Sequence, residues 1–333
     1  MLVSQANRRA FIIGLGGVAT LILQGAENAA AQVYPSHPIT MIVPFPPGGA
    51  SDNLARILAE RMHTWLGQPV IIENVSGAGA SIGVVRLARS PPDGYTIGIG
   101  NMTSHVGAPA IYPIAFNVLA DLEPVSLLSF APLWIIGKIA LPPTSAWELI
   151  AWLRANSDKA TFGTVGIGSP AHLGGVYLQA NAGMRFSLIP YRGAAPAIQD
   201  LIAGQIDLAC LEASSSLPFV QSGKIKAYMV LGKTRWAAAP EVPTTDETGV
   251  SGLDISFWHG LWVPKETPKE AVAKVNAAVV DALANPAVRE RLTNMGHDIA
   301  TREQQTPEAL RAFHTAEIEK WSPIIKAAGI RAE

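Results

Sequence analysis

Ile39-Thr40-Met41-Ile42-Val43-Pro44-Phe45-Pro46-Pro47-Gly48-Gly49-Ala50-Ser51-Asp52 is a short apolar segment that runs into a glycine-rich turn. Behind the turn, Leu54, Ile57, Leu58, Met62 and Trp65 repeat at helical spacing over residues 51–66. A strand, a glycine turn and a helix in that order expose backbone N–H groups at the positive end of a helix dipole, which favours an anion. The same arrangement recurs further on. Residues 161–165 read as a strand, Gly166-Ile167-Gly168-Ser169-Pro170-Ala171-His172 as the turn, and 171–182 as the helix.

The rest of the chain alternates in the same way. Strands are expected at 69–73, 95–99, 124–130, 133–140, 188–191, 206–210 and 225–231, and helices at 79–88, 146–154 and 196–203. The last third reads as largely helical, with Val272, Val275, Val279 and Leu283 on one stripe, a shorter helix after Pro286 and a long one over 307–327. This order predicts two α/β units with mostly parallel sheets flanked by helices and a cleft between them. Open sheets of this kind hold ligands beyond the carboxyl ends of their strands, where both glycine turns fall. Trp65, Trp147, Trp152 and Trp321 lie in helical patterns and are expected to pack.

The chain starts with a segment unlike the rest. Arg8 and Arg9 precede an apolar run over 10–23, and small residues then end in Ala29-Ala30-Ala31. That layout is a secretory signal peptide over residues 1–31, and the paired arginines leave both the general and the twin-arginine export routes open. The apolar run is shorter than the ~20 residues a membrane span needs, so no membrane span is expected after cleavage. With 25 Lys+Arg against 26 Asp+Glu the balance is near neutral, without the basic excess that nucleic acid favours. The one cysteine, Cys210, ends an apolar segment and reads as a buried strand thiol.

Several short motifs, taken in order, resemble the extracytoplasmic solute receptors of tripartite tricarboxylate transporters, the Bug/TctC-like family. They are Pro44-Phe45 with Gly48-Gly49-Ala50-Ser51-Asp52, then Gly77-Ala78-Gly79, Pro92-Asp93-Gly94-Tyr95, and Gly166 through Leu173. Pro190-Tyr191-Arg192-Gly193, Pro196-Ala197, Val242-Pro243-Thr244, Trp258-His259-Gly260-Leu261 and the tail over 321–330 follow. The resemblance implies a periplasmic, two-lobed binding protein of type II-like architecture with two crossovers. It implies capture of a small organic acid and delivery to a large and a small membrane subunit. On that reading residues 32–126 and 231–333 form the first lobe and 127–230 the second, with hinges near 124–130 and 225–231. The receptor is expected to be a monomer without cofactor or metal.

The candidate ligand-binding residues follow from the turns and strand ends. Around the first turn they are Phe45, Pro46, Gly48, Gly49, Ser51 and Asp52. Ser51 reads equally as a helix cap, and Asp52, which would repel a carboxylate, reads as a pin for the turn's N–H groups or the holder of a bridging water. Gly168, Ser169, Ala171 and His172 form the second clamp, with Ser169 either a donor to ligand or a cap. His172 reads equally as a cleft residue or a structural one. Thr103, Ser104 and His105 follow the third strand, as hydroxyl contacts to ligand or a plain helix start; Tyr191, Arg192 and Gly193 follow another, Arg192 reading equally as a planar fork of donors or as a solvated charge at the rim. Asn101 and Ser214 to Ser216 are weaker candidates. Gly77 to Gly83 superficially matches a dinucleotide fingerprint but follows the second strand, and the third strand ends in Asn101 rather than an acid. Gly168-Ser169-Pro170 does not supply a nucleophile elbow. The seven histidines show no zinc-ligand spacing. A binding protein is therefore favoured over an exported enzyme, with a ligand sensor that touches a signalling kinase as the alternative.

Overall fold

The computed structural model describes residues 34–113, 116–156, 158–250 and 252–330. The export signal expected over 1–31 lies outside them. The chain opens with β1 (Ile39–Val43), α1 (Ala50–Leu66), β2 (Val70–Asn74), α2 (Ser81–Ala88) and β3 (Thr96–Asn101). β1 lies between β2 and β3, parallel to both. A π-helical turn, Thr103–Gly107, leads into the short α3 (Ala108–Ile111). After it comes β4 (Leu122–Lys138), a strand of 17 residues.

The second half of the molecule holds α4 (Ala146–Ala155), β5 (Thr161–Thr164), α5 (Pro170–Ala182) and β6 (Ser187–Pro190). It continues with α6 (Ala194–Ile202), β7 (Leu208–Glu212), α7 (Ala213–Gln221) and β8 (Ile225–Val230). The chain then returns to the first half through β9 (Ser256–Pro264), α8 (Lys269–Ala284), α9 (Pro286–Asn294), β10 (Asp298–Ile299) and α10 (Pro307–Ala327). The sheet order is β2-β1-β3-β9-β4-β7-β5-β6, with β8 and β10 also on β4. The result is two lobes on one curled sheet, flanked by helices, as in type II periplasmic binding proteins.

Two features of the sheet differ from the expectation. First, the sheet is mixed. The wings are parallel, but β9 runs antiparallel to β3 and β4, and β4 antiparallel to β7 and β8. β9 was hidden because its seven residues Trp258 to Pro264 are all buried, so no alternation marks it as a strand. Second, the strands expected at 124–130 and 133–140 are one strand. β4 pairs with β9 from Leu122 to Pro132 and with β7 from Leu133 to Gly137. Pro132 stands at the last rung with β9, where a missing N–H costs least. Register shifts at Pro124/Ser126, Leu127/Ser129 and Ile135/Ile136 curl the strand between the two halves.

One apolar cluster lies in each half, and a third, larger one runs through both, from Ile42, Val84 and Trp258 to Phe162, Leu173 and Cys210. In the first half, Leu54, Leu58 and Met62 of α1 meet Val275, Val279 and Leu283 of α8. In the second, Trp134, Ile198, Leu201 and Leu211 pack together, and Trp134 Nε1 donates to Ser216 Oγ at 2.7 Å. α10 lies on β4, burying Leu310 and Trp321 against Trp258 and Trp262. Trp321 thus packs as expected and Trp152 lies half-buried against the same core, but Trp65 and Trp147 are exposed. Trp147 falls outside the stripe Ala146, Leu149, Ile150, Leu153, and at the end of α1 Leu66 takes the inward place beside Trp65. Cys210 is buried in β7, and burial pushes its thiol pKa up. Among the described residues no helix is long and apolar enough to cross a membrane.

α2 seats directly behind the first glycine turn. A β-carbon on Gly83 would lie 2.6 Å from Val75 O and 2.7 Å from Pro44 Cβ. In an isolated helix Gly→Ala gains about 1 kcal/mol; here a backbone oxygen and a ring that cannot swing aside oppose it. Gly83→Ala should therefore destabilise the ligand-free protein by roughly 1–3 kcal/mol, measured as a lower urea midpoint with an unchanged slope.

Candidate functional site

The first turn is held by one carboxylate. Gly48 adopts φ +81°, a left-handed conformation that favours glycine, and α1 starts behind Gly49 without a side-chain cap. The leading N–H groups of a helix have no acceptor within it. Asp52 reaches back to accept the Gly48 N–H at 2.8 Å. It also accepts Arg56 Nε at 2.9 Å, Arg56 Nη2 at 3.0 Å and Asn74 Nδ2 at 2.9 Å. Asn74 Nδ2 donates to Phe45 O at 3.0 Å as well. Burial alone would raise the Asp52 pKa, but the Arg56 fork, the Gly48 N–H and the Asn74 amide outweigh it and hold the carboxyl below its ordinary range. Asp52 thus pins the turn, and Arg56 cancels its charge. Phe45 is half-buried, while Pro46, Gly48 and Gly49 are exposed.

Ser51 is not the helix cap weighed from sequence. Its hydroxyl is buried, shares a hydrogen bond with His259 Nε2 at 2.9 Å and accepts Asn101 Nδ2 at 3.1 Å. Burial, with His297 nearby, pushes the His259 pKa well down, so the ring is neutral at physiological pH. His297 Nδ1 meets Ser129 Oγ at 3.0 Å, and its Nε2 lies 4.0 Å from Glu212 Oε1 at the end of β7. Burial pushes Glu212 up to about 7 and His297 down to about 4. His259, His297 and Glu212 were missed as site neighbours. The one signal was a histidine inside the apolar segment Trp258 to Leu261.

The residues after β3 turn inward. Ser104 Oγ is bonded to Asn101 N at 2.9 Å, Asn101 O at 3.1 Å and His105 Nδ1 at 2.9 Å. The His105 ring stacks on Trp262 at 3.9 Å. Both side chains are fully buried, which corrects the expectation that Ser104 and His105 face a ligand. The π-helical turn directs them into the lobe to satisfy its own backbone. Thr103 keeps partial exposure.

At the second turn Ser169 is the helix cap: its Oγ accepts the His172 N–H at 3.2 Å and donates to Gly166 O at 2.7 Å. Gly166 and Gly168 have φ +112° and +75°. Ala171 is buried, and His172 Nδ1 lies 3.3 Å from Thr164 Oγ1 with its pKa lowered by burial. Tyr191 is tied to the base of this turn through its N–H to Thr164 O at 2.8 Å. Its hydroxyl donates to Asp200 Oδ2 at 2.7 Å, and burial with that bond pushes its pKa up to about 12. Arg192 is exposed and Gly193 half-buried.

One element joins the two turns. Asn101 ties Ser51 of the first turn to Ser104 of the π-helical turn, and Gly107 at the far end of that turn packs on Gly168 of the second. Both glycine turns are therefore brought to one place, from opposite halves of the sheet. Among the described residues no group of three or more His, Cys, Asp or Glu side chains is placed to hold a metal ion.

Residues 54–330 match the model of the tripartite tricarboxylate transporter family receptor, TctC. The solved periplasmic binding protein BugD is 38% identical, with a TM-score of 0.80 over 90% of this chain and 100% of its own. MatC from Rhodopseudomonas palustris, solved with bound malate, is 34% identical with a TM-score of 0.79 over 88% and 100%. An R. palustris protein solved with adipate is 30% identical with a TM-score of 0.81 over 90% and 99%.

Asp52→Asn removes the charge that Arg56 faces and one acceptor of the Gly48 N–H. It should lower the unfolding free energy by about 1–3 kcal/mol at neutral pH. Because the folded carboxyl titrates below its ordinary value, its stabilisation is complete above the unfolded pKa near ~3.9 and fades as pH falls through the lower folded value. The gap between parent and variant in thermal midpoint should accordingly close in acid.

Proposed function

This chain belongs to the tripartite tricarboxylate transporter receptor family, a family of periplasmic solute-binding proteins, and on that premise we propose that it captures a small organic acid in the periplasm. It then presents the loaded, closed form to the large and small membrane subunits of such a transporter. The observation that carries this reading is the pair of helix-opening glycine turns, brought together from the two lobes by the π-helical turn. Both offer uncancelled backbone N–H groups. The carboxylate on the first turn, Asp52, is neutralised by Arg56. Malate and adipate, in the two relatives solved with them, share a carboxylate at each end.

In this proposal the main chain of Gly49 and Ala50 takes one carboxylate, with Gly48 shaping the turn and Phe45 and Pro46 as an apolar wall. Gly168, Ala171 and His172 close from the other side, and Thr103, Tyr191, Arg192 and Gly193 form the rim. Ser51, Asp52 and Ser169 hold the turns in shape rather than touch the acid. The lobes divide where β4 exchanges β9 for β7, between Pro132 and Leu133, and again after Val230. A ligand that touches both turns binds the closed form better and draws the equilibrium to it. No covalent step is needed, so the receptor acts as a monomeric binder and not as an enzyme.

The test is a thermal shift of the mature chain, stripped of ligand by unfolding and refolding, against a panel of mono-, di- and tricarboxylates that includes malate and adipate. At least one acid should raise the midpoint, since ligand at a hundredfold its Kd adds about 2.7 kcal/mol. A flat response across the panel would overturn the proposal.

A further inference from the structure

We infer that Gly107 is a positioning residue for ligand capture: its missing side chain is what lets the second glycine turn close onto the first lobe. This rests on the reading of the protein as a lobe-closing receptor. Gly107 has φ −66° and ψ −54°, ordinary helical values that any residue adopts. Glycine there costs the helical segment about 1 kcal/mol relative to alanine, so local conformation does not explain it. The neighbour does. A β-carbon on Gly107 would lie 2.3 Å from Gly168 O, 3.1 Å from Gly168 C and 3.5 Å from Gly168 Cα.

All three opposing atoms are backbone, so no rotamer change can relieve the overlap. Gly168 itself is fixed at φ +75°, and a β-carbon on it would meet Ile111 Cδ1 at 2.2 Å. The contact is therefore glycine on glycine, with Ile111 of α3 beside it. On the first-lobe side the π-helical turn cannot retreat. His314 Nε2 bonds to His105 O at 2.9 Å, the His105 ring lies on Trp262, and Ser104 is bonded to Asn101. On the other side Gly168 opens α5 and is tied down by the Ser169 cap. With both walls rigid, one methyl group must hold the lobes apart by roughly 1 Å, the step from 2.3 Å to ordinary contact beyond 3.4 Å. A π-helical turn inside a helical segment is a recurrent mark of functional positions, and here it sets Gly107 at the lobe contact.

The consequence separates from stability. With the lobes apart, alanine at 107 meets nothing and the helical segment gains. With the lobes closed, the same methyl is expelled by the Gly168 backbone. Ile111→Ala makes the complementary change, removing the apolar flank of the contact without adding a clash.

The experiment uses spin labels at two exposed positions, Ile71→Cys in the first lobe and Lys224→Cys in the second, with buried Cys210 left in place. Interlobe distances are read by pulsed electron resonance, and affinity by calorimetry, with malate and adipate as probes. In the Gly107→Ala variant the short-distance population should be lost and probe affinity should fall at least about tenfold, mainly through faster release, since a misfit near 1 Å is enough for that scale of loss. Its ligand-free thermal midpoint should match or exceed the parent's. Ile111→Ala should weaken probe binding in the same direction. An unchanged short-distance population in Gly107→Ala, or unchanged affinity with the parent binding normally, overturns the inference. If the parent binds neither probe yet has a short-distance population that Gly107→Ala removes, the closure role stands and the dicarboxylate reading falls.

Discussion

Everything in the molecule hangs on β4. A single strand of 17 residues gives its first part to β9 and its second to β7 and β8, so both halves are edges of the same ribbon. The return crossing is tied to it at the exchange point: Leu231 N donates to Leu133 O at 2.8 Å, and Ile255 N to Leu231 O at 3.2 Å. The apolar clusters of α1 with α8, and of β7 with α6, lie on either side, and a third, larger cluster bridges the halves through Leu133 and Ile135 of β4.

That mechanical frame explains the electrostatics of the site. Buried polar side chains gather at its strand ends, and the histidines among them are neutral. Burial keeps His105, His259 and His297 neutral at physiological pH. Asp52 is the only ionised carboxylate on the first turn, and the Arg56 fork cancels it. With Asp52 cancelled by Arg56, the dipoles of the leading N–H groups are left as the field of the turn itself. That field is weak beside a full charge. In the proposed function it takes a carboxylate by shape and hydrogen bonding and lets the anion leave again.

The parts of this architecture that were legible in the sequence are those with local signatures. Both glycine turns, the helices behind them and the parallel wings could be read because strand, turn and helix follow within about twenty residues. β9 could not, since a strand buried on both faces has no periodicity to show. Nor could the fusion of two strands into β4, because Pro132 reads as a break wherever it stands. Within the site, Asp52 was legible as a pin because a carboxylate four residues behind a glycine turn has little else to do. Ser51 was not: its partners His259 and Asn101 are distant in sequence. Ser104 and His105 were misread for a related reason. The rule that ligand groups follow strand ends assumes an ordinary helix start, and a π-helical turn rotates those side chains inward.

Gly83 and Gly107 show what the sequence withholds. Both sit in short helical segments among apolar residues, at backbone angles open to any amino acid, and both stand against a backbone oxygen closer than a β-carbon tolerates. By local chemistry they are the same residue. Gly83 faces Val75 and Pro44 within its own lobe, so its contact exists whenever the lobe is folded and belongs to stability. Gly107 faces Gly168 across the exchange point, and on the inference drawn above its contact belongs to capture. The distinction lies in which side of the exchange point on β4 the opposing atom is built, and that is a property of the sheet order rather than of any motif.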